Sequence, residues 1–205
     1  MPWLSHINTR MEIAAKTFQI PALAGISATN IDEHLKLYQG YVKHANLIQA
    51  KIASLGDSPE DGYVRAELSR RFGFEFGGIR NHELYFALLE GGPKALDAAS
   101  PLAQKIAADF GSSEAWQASF AKMFSTRGPG WAMLGLDRAD GVLRNYWVDE
   151  QHGGHLPGVE AVFGIDFWEH AFVADFQPSG KMKYAEAFLA NANWGVAEAR
   201  FEKAR

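Results

Sequence analysis

The chain of 205 residues contains no cysteine. That excludes disulfides, thiolate metal sites and cysteine nucleophiles. No apolar run approaches the ~18 residues of a membrane-spanning helix. The first residues, MPWLSHINTRMEIAAKTF, lack the apolar core of a secretory signal. Long runs of like charge are missing too. With 20 basic and 24 acidic residues the formal net charge is −4, which makes a general nucleic-acid binder unlikely on electrostatic grounds. No internal repeat, low-complexity tract, phosphate-binding glycine loop or nucleophile elbow occurs. The expectation is a protein of the reduced cytoplasm with neither a nucleic-acid nor a membrane partner. Residues 1–10 carry no clear pattern, so Met11 is a candidate start.

What is present is a globular composition. Hydrophobic residues make up 47% and charged residues 21%, enough apolar surface to rule out wholesale disorder. Pro21 to Gly25 reads as a turn, followed by N-cap candidates from Ser27 to Asn30. Leu35, Tyr38, Val42, Ala45, Ile48 and Ile52 recur at helical spacing, which predicts a helix from Ile31 to about Leu55. A second helix starts near Pro59 and runs to about Phe74. Gly77-Gly78 is expected to interrupt it before an apolar segment, Asn81 to Glu90. Gly91-Gly92-Pro93 is a strong break.

Helices are expected over Lys94–Asp109 and Ser113–Ser125, with Ser112 as a cap for the second. The pattern then changes. Trp131–Leu136 and Val142–Val148 flank Asp140-Gly141 and suggest a β-hairpin. Ala161–Ile165 reads as a third strand, and helix returns from about Lys183 to Phe201. The order predicts an α+β fold. An N-terminal helical hairpin domain (1–92) would precede a C-terminal domain (93–205) with a small three-stranded antiparallel sheet flanked by helices.

Seven histidines are available, and without cysteine a transition metal would need imidazole and carboxylate ligands. In Asp166-Phe167-Trp168-Glu169-His170 an aspartate and a histidine four apart can converge on one ion; the plainer reading is a cap at Asp166 with a satisfied histidine behind it. His82 opens an apolar segment, where a histidine is usually just a polar helix-start residue. His34 sits on the first helix, where a surface histidine is the ordinary outcome. His152 and His155, in a glycine-rich stretch, read as a solvated loop.

Together these segments resemble the iron/manganese superoxide dismutase family from about Gly25 to Glu202. Asp166 to Phe172 is close to that family's D-x-W-E-H-A-Y signature, and Gly77 to His82 is similar to its G-G-x-x-N-H segment. Gly128 to Ala132 resembles its G-S-G-W-x strand. Lys183-Tyr184 through Asn193-Trp194 resembles its closing Y-x-x-x-F…N-W helices. The resemblance implies superoxide disproportionation to dioxygen and hydrogen peroxide at one iron or manganese ion per chain, with superoxide as substrate and a homodimer as the assembly. Asp166, His170 and His82 would be three ligands.

The fourth ligand has two candidates. The family reads H-H-x-x-H-H-x-x-Y-V, and an ungapped match of Tyr41-Val42 puts Glu33 at the ligand position. Loss of one residue puts His34 there instead. Seven residues along an α-helix return to within about 20° of one face, whereas eight miss by about 80°, which favours His34 with Tyr41. By the resemblance Tyr41 gates access and relays protons, and Trp131 and Trp168 form an apolar wall. Glu169 would anchor a neighbouring subunit's His170. Gln151, or His152 as runner-up, would hydrogen-bond the solvent at the metal. Its position in the C-terminal half leans toward manganese. Leu37 and Val173 replace polar residues that bridge dimers in the family, and Met133 stands where a second tryptophan is common. A non-catalytic homologue and a Glu33-bearing metalloenzyme of other chemistry are the alternatives.

Overall fold

A computed structural model describes residues 12–205; Met11 as a start, and His6, lie outside the described residues. Two long helices come first, α1 (Ala28–Ser54) and α2 (Pro59–Ala87), packed as a hairpin. Each begins on a serine whose side chain accepts from the third backbone N–H of the helix, Ser27 from Asn30 and Ser58 from Asp61. The turn expected before α1 is present, with Leu23 bridging Ile26.

Unlike the sequence expectation, Gly77-Gly78 does not interrupt α2, which runs through both residues. These glycines serve close packing. A Cβ on Gly78 would lie 2.5 Å from the Tyr41 ring, and one on Gly77 would collide with the Gln151 carbonyl. The missing side chains let α1 and the loop after the second strand approach α2.

The helix expected from Lys94 starts later, as α3 (Pro101–Phe110), because Ser100 caps it and Pro101 fits the first turn. Residues 94–100 form a turn and a bridge from Lys94 to Asn193. Ser112 caps α4 (Ser113–Ala121), which tightens into a 3₁₀ turn over Lys122–Ser125. Three antiparallel strands follow: β1 (Gly130–Asp137), β2 (Leu143–Asp149) and β3 (Val159–Asp166), in spatial order β2-β1-β3. The β1–β2 hairpin pairs Leu136 with Leu143, and Gly141 takes a positive φ of 70° in its turn. The C-terminal helix expected as one piece is two, α5 (Lys181–Asn191) and α6 (Trp194–Ala204), because Asn193 leaves helical geometry to cap α6.

β3 packs on α2, and their apolar faces form the middle of the core with Leu84, Tyr85, Phe163 and Phe188. The C-terminal end of β3 therefore opens beside the buried faces of α1 and α2.

Candidate metal centre

Four polar side chains meet where those elements converge. α1 supplies His34, α2 supplies His82, the last residue of β3 is Asp166, and the 3₁₀ turn Glu169–Ala171 carries His170. His34, His82 and Asp166 are fully buried, and the His170 side chain is 18% exposed. One ligand atom from each lies within 4.8 Å of every other. Asp166 Oδ2 is 3.1 Å from His34 Nε2, 3.2 Å from His170 Nε2 and 3.7 Å from His82 Nε2.

The local backbone aims these atoms. The Trp168 N–H donates to Asp166 Oδ1 at 2.8 Å, so the other carboxylate oxygen faces the histidines. The Gly78 carbonyl, one turn earlier on α2, accepts from His82 Nδ1 at 2.6 Å. That fixes the ring hydrogen on Nδ1 and leaves the His82 Nε2 lone pair directed into the cluster, where it has no hydrogen-bond partner among the described residues.

Electrostatics agree with a cation site. Burial lowers the pKa of His34, and burial together with the neighbouring His34 pushes His82 down to about 3. Both are neutral imidazoles at neutral pH. Burial alone would raise the Asp166 pKa, but His170 and His34 beside it hold the carboxyl well below the ordinary range. The result is three imidazole nitrogens and one carboxylate oxygen in a largely buried cluster, with an orphaned lone pair among them. A buried lone pair without a donor is costly, and a divalent or trivalent ion supplies what it lacks. The donor set suits first-row transition metals.

Around the cluster lies a second ring of contacts. Gln151 is fully buried; its Oε1 accepts from Trp131 Nε1 at 3.1 Å and its Nε2 donates to the Tyr41 hydroxyl at 2.9 Å. The Tyr41 ring lies 5.1 Å from that of His82, and Trp131 meets His82 edge-on at 5.0 Å. Burial raises the Tyr41 pKa above its ordinary value, so the hydroxyl keeps its hydrogen. Trp168 stacks on His170 at 5.6 Å and donates from Nε1 to the Glu150 carbonyl.

The structure thus brings together His34, His82, Asp166, His170, Tyr41, Gln151, Trp131 and Trp168. Glu33 is apart from them, on the solvent side of α1, paired with Lys36 at 2.6 Å. His152 and His155 are exposed, as a solvated loop requires. Glu169 is exposed beside His170 and forms no ion pair among the described residues.

Sequence reading missed several participants. Asn81 donates from Nδ2 to the Gln151 carbonyl at 3.0 Å, holding the loop that carries Gln151. Buried Glu83, next to His82, accepts from Lys16 at 2.8 Å and Arg80 at 2.7 Å, and Tyr38 approaches it at 3.3 Å. The Lys16 N–H donates to the Tyr38 hydroxyl at 2.8 Å. These contacts tie the segment before α1 to the back of the site. Charged residues two or three apart on one helix are ordinarily solvated, so the sequence carried no signal that Glu83 is buried.

Comparison with known proteins is consistent with this arrangement. The family model described as iron/manganese superoxide dismutases, C-terminal domain, matches residues 98–200. A superoxide dismutase [Fe] of Aquifex aeolicus is 35% identical over 188 residues, covering 89% of this chain and 87% of the relative. One named superoxide dismutase [Fe] from Cupriavidus metallidurans is 34% identical, covering 89% and 91%. A superoxide dismutase [Mn] 2 of Haloferax volcanii is 33% identical, covering 82% of each.

Proposed function

The chain belongs to the iron/manganese superoxide dismutase family, and we propose that it disproportionates superoxide at one iron or manganese ion held by His34, His82, Asp166 and His170. Two superoxide anions and two protons become dioxygen and hydrogen peroxide. The observation that carries this reading is the convergence of four ligand atoms within 4.8 Å, three of them from buried residues, with the His82 Nε2 lone pair unpartnered among them.

An iron or manganese ion bound there supplies the reversible one-electron chemistry that alternate oxidation and reduction of superoxide needs. The rest belongs to the protein. Asp166 offsets part of the cationic charge while three neutral imidazoles add none, so the site stays net positive toward an anionic substrate. The Tyr41 oxygen accepts from Gln151, which leaves its own hydrogen free to donate to a reduced oxygen species. Gln151, anchored by Trp131 and Asn81, fixes that hydroxyl. Trp131 and Trp168 exclude bulk water, which strengthens each of these interactions.

A homodimer is part of the proposal: Glu169 stands at the surface beside the one ligand that is not fully buried, and Leu37 and Val173 are exposed apolar side chains at 43% and 42%. Gln151 in the C-terminal half leans the choice of ion toward manganese; relatives carry the names of both. No helix among the described residues is long and apolar enough to cross a membrane, and the lack of cysteine suits a reduced cytoplasm.

Metal analysis and superoxide consumption on one purified sample test the proposal. About one iron or manganese per chain with activity is expected. Protein that stays inactive after reconstitution with either ion overturns it in favour of a non-catalytic homologue.

A further inference from the structure

One buried polar side chain on α1 plays no part in the contacts described above. Asn30 is 1% exposed, and among the described residues neither its Nδ2 nor its Oδ1 has a hydrogen-bond partner. His34 is fully buried, and its Nδ1 has no partner either. The two residues are four apart on α1 and share one face of the helix, one turn from each other. Cα–Cβ bonds of an α-helix tilt toward its N-terminus, so the His34 ring leans over the turn that carries Asn30. Buried polar atoms left alone are costly, and these three are complementary: one donor, one acceptor, and a ring nitrogen able to be either.

We propose that Asn30 is the positioning residue for His34, its amide serving both tautomers of the imidazole. The inference rests on the reading of His34 as a metal ligand. His34 Nε2 lies 3.1 Å from Asp166 Oδ2, and in the tautomer that carries the ring hydrogen on Nε2 it donates there. Nδ1 is then a bare acceptor, which Asn30 Nδ2 serves through a bridging water. With a cation in the cluster, Nε2 must present its lone pair, so the ring hydrogen resides on Nδ1. Asn30 Oδ1 then serves that hydrogen through the same water. The imidazole is neutral in both states, so one hydrogen leaves Nε2 and one arrives at Nδ1. Turning the amide over exchanges the two roles, which neither a carboxylate nor an aliphatic side chain can do.

His82 needs no such device. The Gly78 carbonyl holds it permanently in the ion-binding tautomer. α1 therefore carries the adaptable ligand and α2 the fixed one. Asn30 and His34 Nδ1 make no direct bond, so in both states the contact spans one bound water, for which three polar atoms are at hand.

The test is nitrogen NMR of the histidine rings in the full chain, metal-free and with zinc alone, a diamagnetic ion that accepts imidazole and carboxylate ligands. In the wild type, His34 should carry its hydrogen on Nε2 without zinc and on Nδ1 with it. Asn30→Leu should weaken zinc binding about tenfold or more and move the His34 Nδ1 resonance to that of a free acceptor. Asn30→Asp, which only accepts when ionised, should favour the Nδ1–H tautomer before any metal is added. Folded variants with wild-type zinc affinity and unchanged His34 ring resonances would overturn the role of Asn30. A wild type that takes no zinc at these four ligands overturns the ligand reading instead, and the metal-free resonances still decide whether Asn30 serves His34.

Discussion

Gln151 donates a hydrogen bond from Nε2 to the hydroxyl of Tyr41 at 2.9 Å, across 110 positions of sequence. It joins the loop after the second strand to the first long helix, beside the cluster of His34, His82, Asp166 and His170. Because Tyr41 accepts in this bond, its own hydrogen is left free to donate elsewhere.

Replacing Gln151 by leucine removes a buried donor and acceptor at once. Trp131 Nε1 and the Tyr41 oxygen both lose a partner, at a cost of about 1–3 kcal/mol for each buried group left unsatisfied. Activity should fall about 10–100-fold, the usual effect of losing a group that orients the metal's surroundings. Thermal melting and superoxide consumption measure the two effects. Unchanged activity would remove Gln151 from the proton path.

Glu33→Ala and His34→Ala separate the two candidates for the fourth ligand. Glu33 and Lys36 are well exposed, and such pairs contribute little. The Glu33 variant should keep its metal content and its melting temperature. The His34 variant should lose metal, since it deletes one of three imidazoles in a buried cluster. Metal loss in the Glu33 variant alone would refute the assignment.

Gly78→Ala sets two effects against each other. Alanine favours a helix interior by about 1 kcal/mol over glycine. The added methyl meets the Tyr41 ring at 2.5 Å, and overpacking costs about 1–3 kcal/mol. Overpacking should win by about 1 kcal/mol, because the Tyr41 ring is tethered through its hydroxyl to Gln151 and has little freedom to move away. A lower melting temperature with a clear loss of activity is the expected pair of results.

Alkaline pH should destabilise the protein through its buried tyrosines. Burial pushes Tyr146 up to about 12 and raises Tyr85 and Tyr184, whose hydroxyls lie 3.1 Å apart. An unfolded tyrosine ionises near pH 10. Above that pH the unfolded chain binds fewer protons than the folded one, so stability falls as pH rises. Each such group contributes up to about 1.4 kcal/mol per pH unit until its folded pKa is reached. Melting temperatures from pH 8 to 12, followed with tyrosinate absorbance, check this. A flat profile above pH 10 would contradict it.

Much of this was legible in the order of residues, for reasons that act locally. Serines before Asn30, Asp61, Ala103 and Ala115 cap their helices because a side-chain oxygen reaches a backbone N–H three residues on, wherever the helix sits. The Asp140-Gly141 turn and the apolar runs beside it fix a hairpin by the same short-range logic. The residues of the cluster were reachable as well, since His34 and Tyr41 share a helix face by period alone, and the Asp166–His170 segment carries its family's signature. Tertiary structure decided the rest. Gly77-Gly78 spells a break in sequence, yet continues α2 because a neighbouring helix and loop need the space its missing side chains leave. Glu33 and His34 are adjacent and chemically plausible alike, and only the packing of α1 against α2 and the Glu169–Ala171 turn leaves one in water and the other beside Asp166. Burial of Glu83 and the isolation of Asn30 are likewise invisible in the chain, because both depend on which elements close over them. Local chemistry determines the elements and the ligand types; burial, which belongs to no single segment, determines which of them become a site.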